Sequence, residues 1–426
     1  MSHAPVVPGL DPGRVPSGLA YSDRGDIEMT IVTRRDTLLP DPAPRPVRYT
    51  VISVDDHLVE PPDMFEGRLP ARFADRAPRI VENSRGHQLW EFDGRRYSQV
   101  GMNAVAGRRP DSVTLEPTRF EDMRRGCWDI DARIADMDLN GVWASLNFPS
   151  QITGFSGRVF SEAGDPELGL AVTRAWNDWL YEAWWQPYPD RIIPGGITFL
   201  ADPDLGAAEI RRNAERGFRS VTLPERPHRI GLPSLFSGYW DPIVAACEDT
   251  DTVISLHVGS SGMPDMPSDS PLVALGATLF GQMSLSACAE WVWSGLPVRY
   301  PKVNIAMSEG GIGWVAMLLD RLDNIVDRSG YGRDYDPSGL LPAQVLARNF
   351  WFCTIDDPST IDTRHRIGID HIMVEVDYPH GDSTWPDTQA VIERCWGHLP
   401  VEDLRKLTHE NAARLYRWPL PEHPVP

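Results

Sequence analysis

Acidic and imidazole side chains stand at the ends of several short apolar runs of this sequence. The run KVNIAMS, residues 302–308, is followed by Glu309 and two glycines. The run TVISVDDH carries Asp55 and His57, and the run TVISLHV carries His257. An ionised carboxylate that is removed from water needs a cation, hydrogen-bond donors or a metal ion as its partner. Because such residues recur at one run after another, we expect a metal ion to be their common partner.

The last of these runs, HIMVEVDYPHGD, adds Glu375, Asp377 and His380. Residues two apart on a strand share a face, so residues at several strand ends can converge. Histidines combined with several carboxylates have the composition of a metal site, and oxygen ligands favour iron or manganese over thiolate-bound zinc. We expect Glu60 in the surroundings of the ligands as a loop hydrogen-bonder, Glu375 either as a ligand or as a residue that orients a neighbouring ligand, and Asp56 as a cap or surface charge.

Eight apolar runs alternate with longer helical patterns, a typical arrangement for parallel βαβ units that can close into a barrel. The runs cover residues 50–55, 141–148, 191–199, 218–224, 252–258, 302–308, 349–355 and 371–377. Helices are predicted at 166–186, 204–217, 271–294, 312–327, 384–398 and 401–417. An open doubly wound sheet would favour a glycine-rich phosphate turn, and the sequence contains neither GxGxxG nor GxxxxGKS/T. We therefore predict an α/β fold, specifically a distorted (β/α)8 barrel of the TIM type.

The chain divides into an arm, a barrel and a tail. Residues 1–46 are rich in Pro, Gly and Asp and are predicted to form an extended N-terminal arm, and residues 419–426 form a similar tail. The barrel spans 47–418 and carries an insertion, residues 62–130, after its first strand. The insertion contains a predicted hairpin at 87–101. Because long loops at the carboxyl ends of barrel strands surround active sites, the insertion is the candidate substrate cap.

Composition excludes several classes of protein. The formal net charge of -19 argues against a nucleic-acid partner, because phosphate binding depends on Lys and Arg. No apolar run approaches the ~20 residues of a membrane span, and the N-terminus lacks the pattern of a signal peptide. The five cysteines are scattered singly, which fits a reducing compartment. A soluble cytoplasmic protein is the expectation.

Several motifs, in this order along the chain, resemble the amidohydrolase superfamily. They are VDDHLVEPPDMF, LHVGSSG, SEGGIGW, EVDYPHGDSTWP and THENAARLY. The resemblance covers roughly residues 48–418 and is strongest to the amidohydrolase-2 branch, which includes aminocarboxymuconate-semialdehyde decarboxylase. It implies a distorted barrel with metal at the carboxyl ends of the strands. By motif position, Asp55 and His57 match the first-strand ligand pair, His257 the fifth-strand ligand and Asp377 the last-strand ligand.

The chain departs from this family in two places. Asp55 stands where the first-strand motif commonly has a histidine, and Glu309 stands where the decarboxylase branch commonly has one on strand six. Binuclear members often bridge their metals with a carbamylated lysine on strand four, but the chain has only Lys302 and Lys406. If two metals are bound, an ordinary carboxylate must bridge them, and Glu309 is suitably placed.

The pattern of ligands is also similar to a small group of amidohydrolase-fold non-haem diiron monooxygenases, found in bacterial diterpenoid biosynthesis of the platensimycin type. This resemblance implies a metalloenzyme with two iron ions that uses O2 to hydroxylate a bulky apolar substrate, such as a diterpenoid carried as an acyl-coenzyme A thioester. The metal ligands would be Asp55, His57, His257, Glu309, Asp377 and His380. Of these, the last three are also the candidate catalytic residues. A homodimer is the expected oligomer.

Two other functions remain open. A metal-dependent hydrolase or decarboxylase would use one ion, Zn or Mn, to acidify a water molecule, and Asp377 or Glu309 would accept its proton. The missing sixth-strand histidine counts against this function. A barrel that retains a structural metal without catalysis is the third possibility, which the number of strand-end ligands disfavours.

Overall fold

The computed structural model describes residues 38–98, 100–109 and 117–425. Within them, eight parallel strands follow the order of the predicted runs, and we label them β1–β8. They are β1 (Ile52–His57), β2 (Ala144–Phe148), β3 (Ile192–Ile193 and Gly195–Gly196), β4 (Ser220–Thr222), β5 (Val253–His257), β6 (Ile305–Ser308), β7 (Phe350–Thr354) and β8 (Ile372–Val374). Every predicted run therefore overlaps a strand. Seven of the strands lie within their runs and are shorter than them, whereas β1 extends two residues beyond its run, to His57.

Neighbouring strands pair in chain order. β1 pairs with β2 and β2 with the first half of β3, and the second half of β3 begins a continuous ladder that runs to β8. Two backbone hydrogen bonds connect β1 with the segment after β8: the Asp377 amide donates to the Asp55 carbonyl (2.8 Å), and the His57 amide donates to the Tyr378 carbonyl (2.6 Å). The order of the strands is that of the predicted (β/α)8 barrel of the TIM type.

Helices cover the outside of the strands. The longer ones are Ile130–Asn140, Pro166–Trp179, Pro203–Glu215, Asp241–Thr250, Phe280–Trp293, Gly313–Ser329, Pro342–Asn349 and Thr388–Trp396. The shorter ones are Arg158–Ser161, Leu272–Thr278, Leu296–Arg299, Arg364–Ile367, Val401–Arg405 and Asn411–Tyr416. No helix of the described residues is long and apolar enough to cross a bilayer.

Local chemistry explains where these helices begin. Asp165 and Asp202 precede helices that start with Pro166 and Pro203, and each aspartate accepts hydrogen bonds from two backbone amides of the first turn. Three predicted helices are interrupted in the structure. The predicted helix 166–186 is α-helical to Trp179 and then π-helical over Leu180–Trp185. The predicted helix 271–294 breaks at Leu279, and the predicted helix 401–417 contains a π-helical turn at residues 406–410.

The insertion after β1 contains a small antiparallel sheet of three strands, Arg79–Glu82, Gln88–Phe92 and Arg95–Tyr97. The second and third strands confirm the predicted hairpin. Further along, the backbone amides of Val105 and Ala106 both donate to the carbonyl of Pro379 (2.9 Å each). The insertion therefore contacts the loop that follows β8.

The two ends of the chain lie against the barrel where they are described. Residues 1–37 of the predicted arm fall outside the described residues. The Leu39 amide donates to the Gly107 carbonyl in the insertion (2.7 Å). In the C-terminal tail, the Val425 carbonyl accepts from the Thr50 amide (3.1 Å), and the Val425 amide donates to the Thr50 hydroxyl (2.8 Å), just before β1.

Gln389 joins the helix Thr388–Trp396 to the start of the barrel. Its side-chain oxygen accepts from the amides of Arg48 (2.8 Å) and Tyr49 (2.9 Å), and its amide group donates to the carbonyls of Tyr49 (3.0 Å) and Gly141 (3.1 Å). One side chain thus satisfies four backbone groups at the entrance to β1.

We predict that Gln389→Leu lowers the free energy of unfolding by about 2–3 kcal/mol, because buried backbone groups lose their partners. Chemical denaturation monitored by circular dichroism measures this change. Gln282→Ala, at an exposed helical position, is the control and should change stability by less than about 0.5 kcal/mol. Equal effects of the two substitutions would contradict this role of Gln389.

Candidate metal centre

The carboxyl ends of β1, β5, β6 and β8 bring the predicted site residues together. Asp55 and His57 come from β1, which carries a bulge between Ser53 and Asp56 relative to β2. His257 is the last residue of β5, and Glu309 directly follows β6. The bulge changes the alternation of side chains in β1 and so lets consecutive residues face the centre.

Asp55, His57 and His257 form one group whose ligand atoms could share a metal ion. The Nε2 atoms of the two histidines lie 3.0 Å apart. His57 Nε2 lies 3.4 Å from Asp55 Oδ1, and His257 Nε2 lies 3.7 Å from Asp55 Oδ2. His257 Nδ1 is 2.6 Å from the Val258 carbonyl, so the proton resides on Nδ1 and the Nε2 lone pair faces the group.

His57, Asp377 and His380 form a second group of this kind. Asp377 Oδ1 lies 2.9 Å from His380 Nδ1 and 3.4 Å from His57 Nε2. The rings of His57 and His380 are stacked, with 3.7 Å between their centroids. The second group is therefore continuous with the first through His57.

Glu309 extends one carboxylate oxygen toward each group. Its Oε2 lies 3.3 Å from His257 Nε2, and its Oε1 lies 4.0 Å from His380 Nδ1. A carboxylate in this position can bind two cations, one with each oxygen. All six predicted ligands are buried and lie in one cluster.

Polar atoms of this cluster lack hydrogen-bond partners, which is rare for buried groups. Both carboxylate oxygens of Asp55 and of Asp377 are unpartnered, as are the Nδ1 atoms of His57 and His380. Buried carboxylates without donors are costly unless a cation binds them. The donor set of oxygens and imidazole nitrogens therefore fits a divalent metal ion of the iron or manganese type.

Burial and charged neighbours displace the pKa values of the side chains in this cluster from their usual values. Burial raises the pKa of Asp55, Glu309 and Asp377 well above the usual carboxyl value, and nearby carboxylates raise it further. Burial also lowers the pKa of His257 and of His380 to about 3. The imidazoles are thus neutral and able to bind metal, and a bound cation would favour the ionised carboxylates.

Three residues of the centre have left-handed backbone conformations that are uncommon outside glycine. They are Glu309 (φ 61°), Asp377 (φ 57°) and Phe155 (φ 62°). Such conformations cost of order 1–3 kcal/mol each and persist where the surrounding structure enforces them, often at functional sites.

The residues that we placed around the ligands have distinct contacts. Glu375 Oε2 accepts from the Glu309 amide (3.0 Å). The Glu60 carboxylate accepts hydrogen bonds from Ser150 and from the Trp176 indole (3.0 Å). Glu60 is therefore a buried residue that stabilises the loop after β2.

The interpretation of Asp56 as a cap or surface charge is wrong. The side chain is buried, and it accepts from the Ser53 hydroxyl (3.0 Å), the Ser145 hydroxyl (2.5 Å) and the Tyr378 amide (3.0 Å). The bulge in β1 turns it inward, which strict alternation along a strand does not predict.

Sequence reasoning missed two aromatic residues and one cation. Phe148, at the end of β2, lies 5.8 Å from the His57 ring and 5.1 Å from the His257 ring, and Phe155 stacks on His257 at 5.8 Å. Arg133 is fully buried and donates to the His57 carbonyl. The strand-end position of Phe148 was a usable signal, whereas Phe155 and Arg133 carried none.

Comparisons with known proteins agree with the fold. A model of the amidohydrolase family (Amidohydro_2) matches residues 85–418. An amidohydrolase from Mycobacterium avium subsp. paratuberculosis K-10 is 24% identical, with a TM-score of 0.67 over 87% of this chain and 100% of that one. A 5-carboxyvanillate decarboxylase from Novosphingobium aromaticivorans, solved with manganese, is 18% identical, with a TM-score of 0.60 over 87% and 96% of the chains. A 2,6-dihydroxybenzoate decarboxylase from Rhizobium is 17% identical, with a TM-score of 0.57 over 87% and 99%.

We predict that the stabilisation caused by metal grows as pH rises from 7 to 8.5. In the metal-free protein, carboxyl groups whose folded pKa is raised contribute stability below their unfolded pKa and lose it as pH rises through the folded pKa. The three ligand carboxylates, whose pKa burial raises well above the usual value, act in this direction, and they are the groups whose charge a bound metal would stabilise. The histidines, whose pKa is lowered, destabilise only below their unfolded pKa of about 6.5.

Melting temperatures of chelator-treated and manganese-loaded protein at both pH values measure this difference. The metal-free value should fall with pH while the loaded value changes less. A stabilisation by manganese that shrinks between pH 7 and 8.5 would contradict the assignment of these carboxylates to a metal centre.

Proposed function

This chain belongs to the amidohydrolase family, and from that premise we propose that it is a metal-dependent enzyme whose centre holds two metal ions bridged by Glu309. The observation that carries the proposal is the position of Glu309, with one oxygen toward His257 and the other toward His380. Asp55, His57 and His257 would hold the first ion. Asp377 and His380 would hold the second.

The balance of buried charge supports two ions. Arg133 is the buried cation whose charge lowers the pKa values of both Asp56 and His57. Five buried carboxylates lie at the centre, Asp55, Asp56, Glu309, Glu375 and Asp377, and the charges of Asp382 and Glu225 also raise the pKa of Glu309. Two divalent cations together with the Arg133 guanidinium offset more of this negative charge than a single divalent cation does. Excess charge of one sign in a buried site is costly.

Within this proposal, the reaction is the hydroxylation of a bulky apolar substrate with O2. Two reduced iron ions, if bound, would supply the activation of O2: one oxygen atom would enter the substrate and the other would leave as water, with two electrons from an external reductant and two protons from solvent. The side chains of Phe148 and Phe155 place apolar surface beside the histidines. Apolar walls that exclude water suit an uncharged hydrocarbon.

A second candidate is a hydrolase or decarboxylase with one manganese or zinc ion. The decarboxylases of known structure, one with bound manganese, support this candidate more directly than they support oxygen chemistry. The ion would be held by Asp55, His57, His257 and Asp377, and Glu309 would act as a base. A carboxylate substrate would, however, enter a centre that already has an excess of negative charge.

The coenzyme A part of the substrate has less support from the chain. Arg124 and Arg125 lie in the insertion and are of the residue type that binds phosphate groups. In the structure the Arg124 guanidinium binds Asp136 and Asp41, and Arg125 binds Asp129. The acyl carrier, the homodimer and the cytoplasmic location stay predictions.

We predict about two iron ions per chain in protein produced with added iron and purified without oxygen. Elemental analysis by mass spectrometry measures the content, and consumption of O2 in the presence of a chemical reductant tests the chemistry. One zinc or manganese ion per chain, independent of the iron supply, would contradict the binuclear centre and favour the second candidate.

We also predict that Glu309→Gln removes one of the two ions and leaves the other, because an amide has one acceptor oxygen in place of two. The metal-free variant should melt at a higher temperature than the metal-free parent, since a buried charge has been removed. Glu225→Gln is the matched control, because Glu225 is buried at the end of β4 and belongs to neither ligand group. Full metal content in Glu309→Gln would contradict the bridging role.

A further inference from the structure

We propose that Glu375 and Asp357 act as a pair of positioning residues that hold the turn Glu309–Ile312 from both ends and so aim the Glu309 carboxylate between the two ligand groups. In this proposal Glu375 is not a metal ligand, and Asp357 has a defined role in the centre. The inference rests on the binuclear function proposed above, but its structural part can be tested without metal.

Glu375 holds the first residue of the turn. It follows β8 directly, is almost completely buried, and its Oε2 accepts from the Glu309 amide at 3.0 Å. Its Oε1 is buried and has no hydrogen-bond partner, so Glu375→Gln distinguishes a positioning residue from a ligand. The contact of its Oε2 is with the backbone that carries the bridging carboxylate.

Asp357 holds the last residue of the turn. Its Oδ2 accepts from the Ile312 amide (3.3 Å) and from the hydroxyl of Thr354, the last residue of β7 (2.7 Å). A Cβ atom added at Gly311 would lie 3.0 Å from Asp357 Oδ2, and Gly311 has φ 61°. A glycine is therefore required for the carboxylate to approach the turn this closely.

The middle of the turn is fixed by contacts from another side. The Gly310 carbonyl accepts from the Trp314 indole (3.0 Å), and a Cβ at Gly310 would collide with Ser284 on the helix Phe280–Trp293. The helix Phe280–Trp293, the segment after β7 and the segment after β8 thus contact the four consecutive residues of this turn. This is the arrangement that a strained backbone requires, because each contact opposes relaxation to an ordinary conformation.

The consequence concerns the direction of the Glu309 side chain. With φ 61°, the bond from Cα to Cβ points differently from the direction it has in extended backbone. If the turn relaxed, the carboxylate would leave the position in which its oxygens face His257 and His380. We call Glu375 and Asp357 together the clamp. The clamp should therefore control the binding of the second metal ion without contacting that ion.

The test compares two substitutions at each carboxylate. Glu375→Gln and Asp357→Asn keep an oxygen that can accept the backbone amide, whereas Glu375→Ala and Asp357→Ala do not. Manganese is titrated into the metal-free proteins, and the ions per chain and their affinities are measured. We expect the alanine variants to bind the second ion at least about tenfold more weakly, and the amide variants to stay within about threefold of the parent, since residues that orient ligands change affinity by 10–100-fold.

Hydrogen–deuterium exchange of peptides that cover residues 307–314 supplies the readout that is independent of metal. Exchange in metal-free protein should be faster in the alanine variants and near the parental rate in the amide variants. Asp336→Ala is the control, because Asp336 is a buried carboxylate that accepts a backbone amide from Ser338 elsewhere in the chain. It should change neither exchange in this peptide nor the second ion.

Three results would overturn the proposal. Loss of an ion in Glu375→Gln as complete as in Glu375→Ala would make Glu375 a ligand. Unchanged exchange and unchanged metal binding in both alanine variants would remove the clamp. Faster exchange in these variants without any loss of the second ion would separate the turn from metal binding. If the parent itself binds a single ion, the binuclear function fails, and the exchange data still decide whether the clamp exists.

Discussion

The structure of the metal centre depends on one electrostatic constraint. Several carboxylates and three neutral imidazoles are buried together with little positive charge around them. The Nε2 atoms of His57 and His257 lie 3.0 Å apart, and both oxygens of Asp55 and of Asp377 have no partner. In water these groups would be solvated, and in a protein interior they repel one another. Folding can tolerate such a cluster because the rest of the barrel contributes a large apolar core, and metal binding then supplies the missing charge.

The surrounding structure keeps these groups in place at a cost in backbone strain. Glu309 and Asp377 both have positive φ values, and both belong to segments that are fixed by hydrogen bonds from neighbouring strands. Asp377 donates its amide to Asp55, so two ligands on different strands share a backbone hydrogen bond. Strain of this kind is a general feature of pre-organised sites, in which the ligands adopt their positions before the metal binds.

Much of the fold could be predicted from the sequence, because the signal was periodic. Each of the eight apolar runs overlaps a strand, and the six predicted ligands meet because the carboxyl ends of parallel strands open on one face. Asp56 could not be predicted, since the bulge in β1 adds a residue and changes which side chains face inward. The break at Leu279 and the π-turn at residues 406–410 depend on packing between helices, which local patterns do not record.

The roles of Asp357 and Phe155 were also beyond the sequence. Asp357 meets a turn 45 residues earlier in the chain, and Phe155 reaches the histidines from the loop after β2. Neither has a spacing that distinguishes it from an ordinary loop residue. Contacts of this kind are set by tertiary structure alone, and they are the ones that decide how the ligands are oriented.

Anomalous diffraction from crystals of the chain loaded with manganese or iron tests most directly whether Glu309 bridges two metal ions. We predict two anomalous peaks per chain, about 3.5–4 Å apart, one beside Asp55, His57 and His257 and the other beside Asp377 and His380. Glu309 should lie between them. A single peak among Asp55, His57, His257 and Asp377, with Glu309 bound to no ion, would contradict the claim and leave a mononuclear centre.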